Sequence, residues 1–481
     1  MSTFGERTSV LHEWGIEPVP TTHRYLRGVD IAVLWGDLGV GLLVLVTGGF
    51  LVGMSLTQAI AAIVIGSVIG VALLASVAAA GADHGLPTMV LFRPVLGLKG
   101  SWVPSILNVA QLIGWTAVEL WAISFVADLV AKRALGFSAR PVWLVAAAIV
   151  CTALAWWGPV GVTRVWMEKF AAWLVIAIAV IVTILLLTSG DPLILPAVSG
   201  ALPFGLALDL VIAMPISWLP LAADYTRFAS SRRAASTGTF VGYLIANVWL
   251  YLLGYLLVGT TGQAASPESV AIGVLALAGG TIAGVMFLIG VLAVETDQAF
   301  ADVYSGAVSL QNIWPNAPQR VLVGVIGVIG TLLAAWLTME RYESFLFLIG
   351  SVFVPLFGVF IADHYVNRRG RVEVAELYRG AGPYWFSNGF RFSFALPWLV
   401  GFVLFHWIVP SGPGWWLTWI ESLLGPPLLS KVPWLGGSIP AFLVAFLLSL
   451  RPRGLRGDGL GRLSSEPIID QKGSHEDRSH V

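Results

Sequence analysis

Scanned in a window of about 19 residues, the chain alternates twelve apolar stretches with polar joints. The stretches run over 29–52, 57–80, 103–131, 142–158, 168–188, 206–228, 240–260, 280–310, 320–338, 342–366, 392–410 and 433–450. At 1.5 Å per residue, most of them are long enough to cross a hydrocarbon layer as helices. The third and eighth are the longest and predict tilted helices. The fourth is short, and a Trp- and Pro-rich loop separates the eleventh from the twelfth. The pattern predicts an all-α integral membrane protein of twelve transmembrane helices. A segment over 1–28 precedes the first helix, and a polar tail over 451–481, rich in charge, Gly and Ser, reads as disordered.

Two of the stretches are interrupted. The first carries Gly36-Asp37-Leu38-Gly39-Val40-Gly41 near its start. Three glycines weaken a helix there, and Asp37 puts a carboxylate where hydrocarbon belongs, a placement that is rare and usually functional. The sixth contains Ala213-Met214-Pro215-Ile216-Ser217-Trp218-Leu219-Pro220, whose two prolines remove donors and kink the helix. Broken backbone at membrane depth is tolerated only inside protein or along a watery cavity. A break at the start of each five-helix set points to an inverted repeat, with 29–188 as the first unit and 206–366 as the second. Residues 392–450 then add two further helices.

Composition agrees with this pattern. The chain is 57% hydrophobic and 11% charged, with a mean hydropathy of +0.84, more apolar surface than a soluble domain of its length needs. The net charge is zero, so nucleic-acid binding has no electrostatic support. The single cysteine, Cys151, excludes intrachain disulfides and cysteine metal clusters. Basic residues set the orientation. Of the 27 lysines and arginines, only Lys132, Arg133, Arg140, Arg341 and Lys431 fall outside when the N-terminus is cytoplasmic. The positive-inside rule therefore predicts both termini in the cytoplasm. Tryptophans at span ends, such as Trp102, Trp143, Trp415 and Trp416, suit interfacial belts.

Polar stripes add candidate chemistry. Asn108, Gln111, Trp115 and Glu119 recur at steps of three and four and share one helix face. An amide beside an indole suits a planar heterocycle with ring nitrogens and exocyclic oxygens or amines. The same residues would also serve interhelical hydrogen bonding and packing, and Glu119 fits either proton handling or a buried pair. On the eighth stretch, Glu295, Gln298, Asp302, Ser305 and Ser309 line one face with Asp297 beside them. Carboxylates at this depth repel unless a cation, protons or partners intervene. No lysine or arginine lies within a span core to pair with them, so the stripe predicts a cation site or a proton relay. Ser217 and Trp218 stand at the sixth-helix break, where a side-chain hydroxyl and exposed backbone N–H groups could meet a ligand. Asp224 and Arg227, three apart, suggest a local ion pair or gate contact. Seven histidines are scattered without metal-ligand spacing. No phosphate loop or Gly-x-Ser-x-Gly elbow appears, which argues against an enzyme.

Several motifs carry a family resemblance. Lys99-Gly100-Ser101-Trp102-Val103-Pro104-Ser105 followed by Gln111-Leu112-Ile113-Gly114-Trp115 is similar to the loop and third helix of cytosine permeases. Pro215-Ile-Ser217-Trp-Leu-Pro220-Leu-Ala-Ala-Asp224-Tyr225-Thr226-Arg227-Phe228 resembles their sixth helix. Asp302-Val-Tyr304-Ser305-Gly306 and Ile361-Ala-Asp363-His-Tyr365-Val-Asn367-Arg368-Arg369 resemble the eighth and tenth. The chain is thus identified as similar to the nucleobase:cation symporter-1 family, the cytosine/purine permeases and the related proteins assigned to hydroxymethylpyrimidine. The resemblance spans roughly Val29 to Arg371. It implies a LeuT-type fold with a five-plus-five inverted repeat and two C-terminal helices.

The same resemblance implies a function: cation symport of a nucleobase or related heterocycle across the plasma membrane. Trp115 would stack on the ring and Gln111 would bond it, with Ser217 and Trp218 contributing from the sixth helix and Asp302 from the eighth. The coupling ion, Na⁺ or H⁺, would lie between the first and eighth helices. Its site would use the carbonyls of Asp37 and Val40 and the side chains of Asp297 and Gln298, with Glu295 adding a carboxylate. The family more often places Ser, Thr or Asn where Asp297 and Gln298 stand. The expected partners are a small heterocycle, the cation and the lipid bilayer, with no cofactor, no nucleic acid and a functional monomer. An amino-acid or osmolyte symporter of the same fold is the alternative. A major-facilitator porter would need a Gly-x-x-x-Asp-Arg-x-Gly-Arg-like loop that 81–100 lacks, and a membrane receptor without transport ranks last.

Overall fold

The computed structural model describes residues 14–157, 172–189, 201–277, 282–339 and 342–451. The described residues are helical almost throughout. The first half contains α1 (Gly28–Leu38), α2 (Leu42–Gly49), α3 (Leu56–His84), the short α4 (Thr88–Leu91) and α5 (Arg93–Leu96), α6 (Trp102–Leu135), α7 (Arg140–Trp157) and α8 (Ala172–Thr188). The second contains α9 (Phe204–Trp218), a 3₁₀ turn (Leu219–Leu221), α10 (Ala222–Thr226), α11 (Arg232–Thr261), α12 (Pro267–Leu277), α13 (Ile282–Gln311), α14 (Gln319–Trp336) and α15 (Tyr342–Ile361). A π-helical turn (Ala362–Asn367) follows, then α16 (Phe392–Ile408), α17 (Gly414–Leu424) and α18 (Ser438–Leu448). Among the described residues, seven helices are long and apolar enough to cross a membrane, and the bent α1–α2 pair makes an eighth. Ser55 and Ser231 start α3 and α11 by accepting backbone N–H groups at their first turns.

The packing divides most of these helices into two groups. In one, α1, α2, α3, α9, α10 and α11 pack on each other; in the other, α6, α7, α13 and α14 do. The α6–α13 seam is the most extensive in the molecule, whereas α1 and α13 meet only at a few residues. We call the first group the bundle and the second the scaffold; α15 leans on α9 and on α16 and α18. Small residues let the bundle close. A Cβ at Gly242 or Gly254 of α11 would overlap the carbonyl oxygens of Ala32 and Leu45, so both halves of the first span press directly onto α11.

Four expectations change. The sixth helix does not break at Pro215, which lies inside α9; the helix departs from α geometry at Leu219–Leu221, around Pro220. The seventh helix begins at Arg232 rather than 240 because Ser231 caps it. The joints over 261–279 and 411–432, read as loops, contain α12 and α17, both too short to span. Asp224 and Arg227 do not form a carboxylate–guanidinium pair among the described contacts. Instead, Arg227 Nε donates to the Asp224 carbonyl and the Asp224 carboxylate accepts Thr88 N–H. The tail expected over 451–481 lies, past Arg451, outside the described residues, as do 1–13 of the N-terminal segment.

Candidate functional site

The first span comes apart where the sequence has glycine. α1 ends at Leu38, α2 starts at Leu42, and the two axes differ by 59°. Gly41 sits in extended backbone before α2, and the groups that leave helical pairing there are met by α13. Leu42 N–H donates to Glu295 Oε1 at 2.5 Å, and Gln298 Nε2 donates to the Val40 carbonyl. The Asp37 carbonyl accepts Val40 N–H at 3.0 Å. A Cβ on Gly41 would stand 2.5 Å from Gln298 Nε2 and 2.9 Å from Glu295 Oε1, so only glycine admits both contacts.

Around this break lie two carboxyl pairs. The Asp37 side chain is within hydrogen-bonding reach of Asp297, and Glu119 is within reach of Glu295. All four residues are at most 3% exposed. Two carboxyls in contact need a shared proton or a cation between them. The expected Asp37 and Val40 carbonyls are thus both engaged by protein donors here, and the Asp37 carboxylate, Asp297, Glu295 and Gln298 converge on the same turn.

A cleft adjoins the break. Trp115, Glu119, Met214, Ser217, Trp218, Gln298 and Asp302 line a tight cleft with about 10 Å³ of free volume, room for about one water. Each lining residue is buried. Trp115 contacts Tyr342 and Phe345 edge-on, at centroid distances of 6.0 and 5.3 Å, and Trp218 meets Trp35 at 6.0 Å. Gln111 does not line the cleft. Its Nε2 bridges the Asn108 side chain and the Ser217 carbonyl, both at 2.9 Å, while Oε1 is buried with no partner. It ties the scaffold to the bundle at the sixth-helix break instead. Ser217 Oγ donates to the Met214 carbonyl at 2.6 Å, which leaves its lone pairs for a ligand.

Residues close over the cleft on both sides. On one side, Tyr342 separates it from a vestibule of about 520 Å³ lined by residues including Phe50, Trp121, Arg140 and Glu343. Tyr342 Oη and Thr47 Oγ1 are 3.3 Å apart. On the opposite side, Arg227 donates to the Gly15 carbonyl at 2.6 Å and to Tyr304 Oη at 3.0 Å, and Tyr225 Oη donates to the Ala301 carbonyl at 3.1 Å. Arg93 reaches Asn312 and the Leu377 carbonyl, and Tyr378 Oη donates to the Ile16 carbonyl. Tyr342 and Gly15 carry no local sequence signal for these roles, because Thr47, Trp115 and Arg227, which meet them, lie more than a hundred residues away in the chain.

Residues 18–421 match the family model described as permease for cytosine/purines, uracil, thiamine, allantoin. The chain is 27% identical over 331 residues to the cytosine permease of Escherichia coli (strain K12), covering 67% of this chain and 74% of the relative. It is 24% identical over 391 residues to the hydantoin permease of Microbacterium maritypicum, covering 77% and 79%. Among solved structures, a nucleobase-cation-symport-1 family transporter in a closed conformation with bromovinylhydantoin bound superposes with a TM-score of 0.77 at 20% identity, over 92% of this chain and 94% of that one. That likeness shows a shared fold, so the expected all-α, LeuT-type membrane architecture holds.

Proposed function

The chain belongs to the family of permeases for cytosine/purines, uracil, thiamine and allantoin, and from that premise we propose that it imports a nucleobase or related heterocycle with a cation by alternating access. It is a multi-pass membrane transporter. We place it in the plasma membrane as a monomer with twelve spans and both termini cytoplasmic, a reading supported by the bias of lysine and arginine toward one side.

One observation carries the reading: the bundle and scaffold meet at mid-depth through few polar contacts, and these surround a buried, aromatic-walled cleft. A heterocycle would stack on Trp115, with Ser217, Trp218 and Asp302 around it and Gln111 bracing the break from behind. The cation, Na⁺ or H⁺, would engage Asp37, Val40, Glu295, Asp297 and Gln298. Because Glu295 and Gln298 hold the first break directly, loading that site would change how α2 sits on α13. The bundle would then rock against the scaffold. Opening inward would break the Arg227–Tyr304 and Tyr225–Ala301 contacts, and opening outward would swing Tyr342 away from Trp115. Symport requires that each ligand favour binding of the other.

The test is uptake by purified protein in liposomes, screened over cytosine, uracil, adenine, hypoxanthine, hydantoin, allantoin and hydroxymethylpyrimidine with Na⁺ and pH varied. The expected result is saturable uptake and counterflow of at least one heterocycle, driven by an inward Na⁺ or proton gradient. Transport of amino acids or osmolytes but of none of these rings would overturn the proposal. Within it, Asp297→Asn is expected to shift the half-maximal cation or proton concentration about tenfold, the size of one lost charge-assisted contact. An unchanged dependence would remove Asp297 from coupling.

A further inference from the structure

We propose that one end of the α3–α11 seam binds an anionic phospholipid, with the phosphate held at Arg232 and an acyl chain laid in the groove between the two helices.

The groove is a gap in a pair that otherwise packs together. Toward the end where Asp83 meets Arg232, about 520 Å³ stays open between α3 and α11. Ala72, Ala75, Ser76 and Ala79 form its α3 wall, and Ser236, Thr237 and Phe240 stand on its α11 wall. Small residues in membrane helices usually let a neighbouring helix come close, but among the described residues none fills this space. The opening faces the bilayer. Val64, Val68 and Ala72 follow at steps of four along one exposed stripe of α3, and Val241 and Ile245 are exposed on α11. Along that stripe the side chains shrink from valine to alanine, so the hollow belongs to one half of the helix. An opening of this kind fills from the bilayer, because an empty one forfeits dispersion contacts on both walls. Arg232 and Val241 both line it, nine residues apart, which sets its length at about 13 Å. That is the reach from a phosphate into the upper part of an acyl chain.

The polar end selects the head group. Arg232 Nη1 donates to Asp83 at 2.6 Å, yet the arginine side chain stays 53% exposed. Its Nε and Nη2 make no hydrogen bond to a described residue. The guanidinium lies 5.4 Å from the centroid of the Tyr365 ring, and Tyr365 Oη donates to the Ser76 carbonyl, which fixes the ring at the groove's edge. Asp83 is also within electrostatic reach of Arg24, so two guanidiniums face one carboxylate. The neighbouring cluster repeats the excess, with Arg368 and Arg391 both on Asp363. Arg233 adds an exposed charge in the first turn of α11. Ser236, one turn further in, holds its hydroxyl 3.5 Å from the Arg233 carbonyl, a long bond that a phosphate oxygen would readily replace. Surplus guanidinium beside an apolar groove complements a head group of net negative charge. A choline head group would bring its ammonium against the same arginines.

The experiment is native mass spectrometry of the full chain in detergent, offered phosphatidylglycerol and phosphatidylcholine with identical chains. Phosphatidylglycerol should be retained about fivefold over phosphatidylcholine, the worth of one arginine at an anionic lipid surface. Arg232→Gln should bring that ratio close to one. Arg371→Gln, which removes an exposed arginine that does not line the groove, should leave the ratio unchanged. Asp83→Asn frees Arg232 from its competitor and should raise the ratio by a similar factor. These opposite signs separate a lipid site from a structural ion pair, whose loss would act alike in both variants. Equal retention of the two lipids, an equal fall in Arg232→Gln and Arg371→Gln, or no rise in Asp83→Asn would overturn the inference. So would displacement of the lipid by glycerol phosphate at matched concentration, which would reduce the site to a phosphate contact, or a lipid-free dimer mass, which would give the groove to a second copy of the chain.

Discussion

At the first break, between Leu38 and Leu42, the loose backbone groups are met from across the molecule: Glu295 takes Leu42 N–H and Gln298 takes the Val40 carbonyl. At the second, over Leu219–Leu221, several partners come from α3 and α4. Thr88 Oγ1 accepts Ala223 N–H, Asp224 accepts Thr88 N–H, and Thr226 Oγ1 donates to the Ala78 carbonyl. Among the described residues, the scaffold reaches it through Gln111, bonded to the Ser217 carbonyl, and through α13, where the Ala301 carbonyl and Tyr304 Oη meet Tyr225 and Arg227. The first break therefore depends on side chains that can titrate or hold a cation, and the second is anchored to α3 and α4 whatever the ion does. On the proposed mechanism, ion loading would act on α2 and substrate where α9 meets α6.

The largest effect is expected at Glu295. Glu295→Leu leaves Leu42 N–H buried without an acceptor and strips Glu119 of its partner, at a cost of about 2–3 kcal/mol. Uptake should fall to background, with a lowered melting temperature for the solubilised protein. Glu295→Gln keeps an acceptor for Leu42 N–H, so it should restore the melting temperature while altering the ion dependence. If the Leu variant transports normally, the first break does not lean on the scaffold. Gly41→Ala comes next. Its Cβ would press on Gln298 and Glu295 at 2.5 and 2.9 Å, and overpacking of this kind costs roughly 1–3 kcal/mol. The half-maximal cation or proton concentration for uptake should rise about tenfold or more, while the Michaelis constant for the heterocycle at saturating ion changes little. A shift confined to the heterocycle constant would assign Gly41 to the other site.

How far the sequence speaks depends on whether the physics is local. The apolar stretches, the glycine break and the carboxylate stripe on α13 are properties of short windows, and the structure has a helix or a break near each described one. The shared face of Asn108, Gln111, Trp115 and Glu119 is equally local, but the use of each member is not. Gln111 spends its amide on Ser217, 106 residues away, and so braces the cleft without lining it. Tyr342 closes one side through contacts to Thr47, Phe50 and Trp115, and Arg227 closes the opposite side through Gly15 and Tyr304. Such pairings have no period to detect. α12 and α17 were hidden for another reason: at 11 residues each, they are too short for a membrane-length window to register.

Proline is where the local rule misleads. Pro215 lies within α9 and is buried there, and neighbouring helices can re-satisfy the backbone groups a proline frees. The second break coincides with Pro220, but the ties to Thr88 offer a different cause, and two smaller effects separate the two. Thr88→Val removes the acceptor for Ala223 N–H and should lower stability by about 1–2 kcal/mol, read as a lower melting temperature, with the ion dependence of uptake unchanged because no scaffold residue is involved. Pro220→Ala returns an N–H and a better helix former, yet Leu221, at φ −126° and ψ 0°, still has to leave helical geometry for α10 to meet α4. If the ties hold the break, Pro220→Ala should keep uptake within about threefold of wild type and stability within about 1 kcal/mol. Loss of uptake in Pro220→Ala with near-normal uptake in Thr88→Val would mean instead that both breaks are made by their own backbone, and that the first differs only in what gathers around it.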